Sequence, residues 1–207
     1  MVTTLGVILA GGLSRRMGGG DKPLRVLAGR TLLDRVARRF GPQCPAGLIL
    51  NANGDPARFG EFPGAIVPDR VYGHPGPLAG ILAALDHARA HHPAVTEVAS
   101  VTGDAPFLPD DLVARLAAAR RASGAPIAVA ASGGRQHFTV ALWAVSLGED
   151  LRAALVEREE RRVGAYLARH GAVPVDWPIE PVDPFLNINT PEDLDLATAV
   201  LARIAQG

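Results

Sequence analysis

The chain has 207 residues, 48% of them apolar and 20% charged, the size and balance of one ordinary globular domain spanning residues 1–207. Its 21 basic side chains are matched by 21 acidic ones, and a net charge of zero excludes the broad basic surface that nucleic-acid phosphates require. Anion binding must be local, and the basic residues carry one oddity: Lys22 is the only lysine, the other 20 being arginine.

Cys44 stands alone, so no intramolecular disulfide can form and a reducing compartment is expected. No apolar run reaches the ~18 residues of a membrane helix, and Met1 leads into a short apolar run without a basic leader. A cytoplasmic location without membrane contact is the expectation.

In chain order, short β-rich runs bounded by Gly, Pro, Asn or Asp alternate with longer stretches at helical spacing. The first strand is expected at Leu5–Leu9, then a helix over Thr31–Phe40, strands at Leu48–Leu50 and Ala65–Val67, and a helix over Leu78–His91. A strand at Val98–Thr102, a helix over Pro109–Ala122 and strands at Ile127–Ala131 and Thr139–Ala144 follow. Helices are expected over Leu151–Glu157 and Arg162–Arg169, with Arg158–Val163 forming a solvated helix face. The last helix, Pro191–Ile204, has the clearest start: Thr190 as N-cap, Pro191 as first residue, and Glu192 and Asp193 where the helix dipole favours carboxylates.

Alternating strands and helices imply right-handed crossovers and a three-layer α/β/α fold on a mostly parallel, Rossmann-like sheet. Ligands bind such sheets beyond the carboxyl ends of the strands. Polar and glycine-rich segments collect there: GGLSRRMGGGDK after the first strand, NANGD after the second, PDRVYGHPGP after the third and GDAPF after the fourth.

In Leu9–Lys22 five glycines let backbone N–H groups approach an anion closely, and Arg15, Arg16 and Lys22 add charge, so a triphosphate is the natural guest. The loop is not a Walker P-loop, because Pro23 stands where Ser or Thr would follow the lysine, and Pro23 also breaks the dinucleotide fingerprint. Asp104, at the end of an apolar strand, suits Mg²⁺, which takes one or two carboxylates and fills its other sites with water and phosphate oxygens. Asp69 is a second acid in an equivalent place, and either acid could instead serve as a turn residue or helix cap. Asn51 reads as a base or ribose contact and Asn53, before Gly54, as turn chemistry. GPLAG, Gly76 to Gly80, is equally compatible with a second anion site and with a helix start packed closely through small residues. His137 begins a strand that can face the site.

Taken together, LAGGLSRRMGGGDK, NAN, PDR followed by GPLAG, GDAPF, HFTVAL, ERRV and FLNINTPEDL resemble the molybdenum cofactor guanylyltransferases, from Gly6 to Leu194. The resemblance implies a nucleotide-diphospho-sugar transferase type of fold and Mg²⁺-dependent transfer of GMP from GTP to the phosphate of the molybdenum-molybdopterin cofactor, releasing pyrophosphate, with Mn²⁺ as an alternative metal. It implies nucleotide contacts at Leu9, Ala10, Gly11, Gly12, Asn51 and Asp69, catalytic phosphate contacts at Lys22 and Arg16, and the metal ligand at Asp104. The acceptor is expected near Gly76, Gly80, His137, Arg161, Arg162, Asn187 and Asn189. Molybdenum-insertion and acceptor enzymes are the expected protein partners, with no nucleic acid.

The nucleophile of such a reaction is a phosphate oxygen already ionised at neutral pH, so no general base is required; alignment and charge neutralisation are. The alternatives are a cytidylyl or sugar-phosphate nucleotidyltransferase of the same fold, a guanylyltransferase for another phosphorylated acceptor such as a deazaflavin precursor, and a regulatory module that binds GTP without turnover.

Overall fold

A computed structural model describes residues 3–11, 21–60, 62–71 and 76–204. In chain order its strands are β1 (Thr3–Leu9), the short pair β2 (Val26–Leu27) and β3 (Arg30–Thr31), β4 (Leu48–Asn51), β5 (Ala65–Val67), β6 (Val95–Thr102), β7 (Ile127–Ser132), β8 (Arg135–Ala144) and β9 (Val173–Trp177). Its α-helices are α1 (Leu32–Phe40), α2 (Pro77–His91), α3 (Leu112–Ser123), α4 (Gly148–Val156), α5 (Val163–Arg169) and α6 (Pro191–Ile204). Among the described residues, seven strands form one sheet in the order β5-β4-β1-β6-β8-β7-β9.

The central strands are apolar throughout because both of their faces are covered. Leu5, Val7 and Leu9 enter the core shared with α2, α4 and α5, while Ile8 and Ala10 enter the core shared with α1 and α3. The two-residue side-chain period thus feeds two cores from one strand. The largest fully buried side chain, Trp143 on β8, donates its indole N–H to Ser100 Oγ at 2.8 Å, leaving no polar atom stranded. Cys44 is buried, and burial pushes its thiol pKa up to about 12, so it is inert.

Within this sheet the expected alternation of strand and helix fails between β4 and β5, separated only by the 3₁₀ turn Pro56–Phe59, and between β7 and β8. β7 and β8 are joined without a helix by Gly133 and Gly134, whose φ values of +53° and +77° make a tight turn that glycine adopts freely. β8 therefore runs antiparallel to both β6 and β7, whereas β5, β4, β1 and β6 are mutually parallel. It starts at Arg135, four residues before the expected Thr139. Ser100 of β6 pairs with Ala141, so the first half of β8 reaches past the carboxyl end of β6. The strand β9, parallel to β7 at the sheet edge, has no counterpart among the elements expected from the sequence.

Arg158–Arg162 is not helical as expected. Glu159 takes φ +50°, and the Arg158 guanidinium folds back on the Asp150 carbonyl and carboxylate at 3.0 and 2.9 Å, ending α4. The last helix matches its expected bounds. Asp193 N donates to Thr190 Oγ1 at 3.2 Å, and Asp193 Oδ2 accepts from the Thr190 and Asn189 N–H groups at 2.9 and 2.8 Å. This is a capping box with aspartate in the reciprocal position. A small third core of Leu27, Leu32, Phe107, Ile188, Ala197 and Val200 ties α6 to the β2–β3 pair and to the residues beyond β6. No helix among the described residues is long and apolar enough to cross a membrane.

Candidate active site

Backbone pairing continues one residue past the strands: Ala10 N donates to Asn51 O at 2.9 Å, Ala52 N to Val67 O at 3.2 Å and Gly103 N to Leu9 O at 3.0 Å. Beyond these pairs the carboxyl ends open into a cleft of about 750 Å³. Leu9, Ala10 and Gly11 at the end of β1, Asn51 and Asn53 at the end of β4, Asp69 after β5, Gly76 at the start of α2 and Thr102 to Asp104 at the end of β6 all line it, together with Lys22. Of the expected nucleotide contacts, Gly12 and Arg16 lie outside the described residues, as do Gly18, Gly19 and Gly20 of the loop and His74 before GPLAG.

Lys22 opens a short 3₁₀ turn, Lys22–Leu24, started by Pro23. Its ammonium donates to Asp104 Oδ2 and to Asn189 Oδ1. Ammonium has three donors, so one N–H is left uncommitted by the described residues. The far end of this arrangement is pinned by Ile188 N, which donates to the Asp104 carbonyl at 3.0 Å. Asn189, expected at the acceptor, therefore belongs to the Lys22 and Asp104 cluster. Asp104 Oδ1 is buried and has no hydrogen-bond partner among the described residues. Such an orphaned oxygen is costly to bury unless a ligand uses it. Hard, oxygen-seeking Mg²⁺ fits this donor: no group of three or more His, Cys, Asp or Glu among the described residues could hold a metal alone, and Mg²⁺ takes few protein carboxylates beside water and phosphate oxygens.

Across the cleft, Asp69 is clamped by two amides. Asn51 donates to Asp69 Oδ1 at 2.9 Å and to Val67 O at 3.1 Å; Asn53 donates to Asp69 Oδ2 at 2.8 Å and accepts from Asp69 N at 2.9 Å. Both donors of the Asn51 amide are thus consumed within the protein, so Asn51 orients Asp69 and does not offer them to a base. Asn53 is more than the turn residue expected. Gly80 is also repositioned by the structure: it is buried in α2 beneath Asn51, and a β-carbon there would lie 2.1 Å from Asn51 Oδ1 and 2.9 Å from Leu9 Cδ2. Its role is close packing, not acceptor contact. Gly80→Ala is expected to destabilise the fold by about 1–3 kcal/mol through overpacking, and to raise the KM for nucleotide as Asp69 loses its clamp. Thermal melts and initial rates check both.

One cleft residue has no individual signal in the sequence. Arg58, in the 3₁₀ turn Pro56–Phe59 capped by Asp55, pairs through Nε with Asp21 Oδ2 at 2.8 Å and donates to the Asn53 carbonyl. It braces the residue preceding Lys22 against the segment after β4.

A second cleft, of about 690 Å³, opens beside the first along the start of β8 and α5. His137, Phe138, Arg162 and Asn187 line it, and Thr139 borders both clefts. Asn187 Oδ1 also accepts from Thr102 Oγ1 at 3.3 Å, bridging them. Of the residues expected at the acceptor, His137, Arg162 and Asn187 come together here; Gly76 lines the first cleft and Arg161 is an exposed residue outside the wall.

Residues 6–173 match the family described as the MobA-like NTP transferase domain. The chain is 56% identical over 197 residues to a molybdenum cofactor guanylyltransferase of Bradyrhizobium sp. (strain ORS 278), covering 95% of this chain and 92% of the relative. It is 54% identical to one of Rhodopseudomonas palustris (strain BisB5), covering 97% and 95%. Among solved structures it resembles molybdopterin-guanine dinucleotide biosynthesis protein A from Archaeoglobus fulgidus, with TM-score 0.74 at 22% identity over 97% of this chain and all (100%) of that one. It likewise resembles 4-diphosphocytidyl-2C-methyl-D-erythritol synthase from Anaerococcus prevotii, with TM-score 0.70 at 18% identity over 98% and 97%. These two structural likenesses concern the fold alone.

Proposed function

The chain belongs to the molybdenum cofactor guanylyltransferases, nucleotidyltransferases of the MobA-like family, and from that premise we propose that it transfers GMP from GTP to the phosphate of the molybdenum-molybdopterin cofactor, releasing pyrophosphate, in a Mg²⁺-dependent reaction. The observation that carries the chemistry is the buried Asp104 Oδ1, without a hydrogen-bond partner among the described residues, beside the Lys22 ammonium at the head of the strand-end cleft. GTP as donor rests on the family membership.

The guanosine lies along Leu9 to Gly11, with Asp69 facing it in the orientation set by Asn51 and Asn53. Lys22 turns its uncommitted N–H to the triphosphate; the family resemblance gives Arg16 to the same anion and Gly12 to the guanosine. Asp104 holds Mg²⁺ through its carboxylate, and the bound metal supplies Lewis-acid charge neutralisation at the phosphates. The acceptor occupies the second cleft among His137, Phe138, Arg162 and Asn187, with its phosphate directed past Thr139 toward the first. An oxygen of that phosphate forms the new bond to the α-phosphorus while the bond to the bridging β-phosphate oxygen breaks, the electron pair leaving with pyrophosphate. No side chain must remove a proton; the protein aligns two anions and offsets their repulsion.

The direct test is pyrophosphate release from GTP with the molybdenum-molybdopterin cofactor and Mg²⁺, beside calorimetric binding of GTP and CTP. GTP is expected to bind at least about tenfold more tightly than CTP, the worth of a difference of ~1.4 kcal/mol. Equal binding would move the chain to the cytidylyl branch of the fold, and binding of GTP without pyrophosphate release would make it a nucleotide-responsive module.

A further inference from the structure

Ser132, the last residue of β7, is buried, and its hydroxyl sits in a chain of polar contacts that the nucleotide site does not use. Its Oγ lies 2.9 Å from Asp183 Oδ1 and 2.7 Å from His137 Nε2. A hydroxyl has one proton to give. The Asp183 carboxylate is the acceptor of this set, since the same oxygen also takes the Phe185 N–H at 3.0 Å. The Ser132 proton therefore points at Asp183, and the hydroxyl must accept from His137. Nε2 then carries the imidazole proton. In a neutral ring the other nitrogen, Nδ1, keeps its lone pair.

The ring is half-buried, rests against Phe185 with centroids 4.7 Å apart, and lines the second cleft. Nδ1 has no hydrogen-bond partner among the described residues. Burial lowers the imidazole pKa, Arg135 lowers it further and Asp183 opposes them, so the balance favours the neutral ring. The charged side chains lining this cleft, Arg135 and Arg162, can only donate.

We propose that His137 is a specificity-determining residue of the acceptor cleft: fixed as the Nε2–H tautomer by Ser132 and Asp183, it presents Nδ1 as a hydrogen-bond acceptor to an N–H or O–H donor on the heterocycle that receives the nucleotide. The ligand half of this proposal rests on reading the second cleft as the acceptor site; the tautomer half does not. Replacing the ring by Asn or Gln separates its two nitrogens. The Asn amide heteroatoms, like Nδ1, are bonded to Cγ, whereas those of Gln are one bond further out, as Nε2 is.

The test has two arms on the full chain. In ¹⁵N-histidine NMR of the free protein, the His137 resonances, identified by their loss in His137→Gln, are expected to show a protonated Nε2 and a bare Nδ1. Ser132→Ala is expected to mix the tautomers. A wild-type ring protonated on Nδ1 overturns the proposal. In guanylyl transfer to the molybdenum-molybdopterin cofactor, His137→Gln is expected to raise the cofactor KM about tenfold, the worth of one hydrogen bond. His137→Asn should raise it less than about threefold on the same scale, with the GTP KM unchanged in both. Equal losses in the two variants, or a loss that appears in the GTP KM instead, also overturn it. Absence of any transfer by the wild-type chain refutes the functional reading, and the NMR arm then decides the tautomer alone.

Discussion

Asp104→Ala is expected to lower Mg²⁺-dependent guanylyl transfer by at least about 10³-fold, the upper range for removing one preorganised charge-stabilising group, while the protein stays folded. The argument for the second half is the unusual state of the carboxylate. One oxygen accepts from Lys22 and the other is buried with no partner among the described residues, so in the free protein this side chain carries a desolvation cost that those residues leave unmet. Its removal relieves that cost while leaving Lys22 with the Asn189 side-chain oxygen Oδ1. The two effects oppose, and the melting temperature should move by no more than about 4 °C, which corresponds to ~1 kcal/mol in a chain of this size. Asp104→Asn provides the isosteric control: it keeps the volume and should lose activity nearly as completely, because a neutral amide is a weak ligand for a hard dication. Turnover near the wild-type rate in either variant, at any Mg²⁺ concentration, would remove the metal assignment.

Lys22→Ala is expected to lose about 10²-fold in kcat, the scale for one electrostatic contact made in the transition state. The more pointed variant is Lys22→Arg, which keeps the charge. Lys22 reaches Asp104 and Asn189 with two of its donors from a single nitrogen, and its third N–H is available to a phosphate. A planar guanidinium distributes its donors along a rigid fork and cannot direct three of them from one point. Lys22→Arg should lose about tenfold, the worth of one charge-assisted hydrogen bond, and the loss should lie in kcat more than in the KM for GTP. In a chain whose other 20 basic residues are arginine, full activity of Lys22→Arg would show that the lone lysine is an accident of composition.

How far the sequence reveals the fold depends on which physical signal each element carries. β1, β4, β5 and β6 are legible because each is an apolar run closed by a glycine, asparagine or acidic residue, and α6 because its capping box is written in consecutive letters. β9 is hidden: Val173, Val175 and Trp177 alternate with Pro174 and Asp176, a pattern compatible only with a sheet edge and too short to stand out. The start of β8 reads as polar because Arg135, Gln136 and His137 extend beyond the core toward the ligand edge. The site shows the same division. Lys22 and Asp104 are marked by glycine-rich and strand-end context. Asn53 is not, since an asparagine before glycine is ordinary turn chemistry, and its partner Asp69 lies 16 residues away. Arg58 is one arginine among 20, and only the folded turn at Pro56–Phe59 brings it to Asp21.

The contact between Lys22 and Asn189 spans 167 residues of chain. Closing so long a loop brings its entropic cost late, after local pairs have formed. During synthesis β1, β4 and the start of α2 are made before Asp104 and Asn189, so Lys22 then has neither to meet. The capped segment around Thr190 and the small core beneath α6 arrive only after every strand of the sheet. A truncated product that ends before Asn189 can therefore bury a respectable sheet and still lack an assembled phosphate grip. Synthesis of the segment from Asn187 to α6 and onset of competence are, for this protein, nearly the same event.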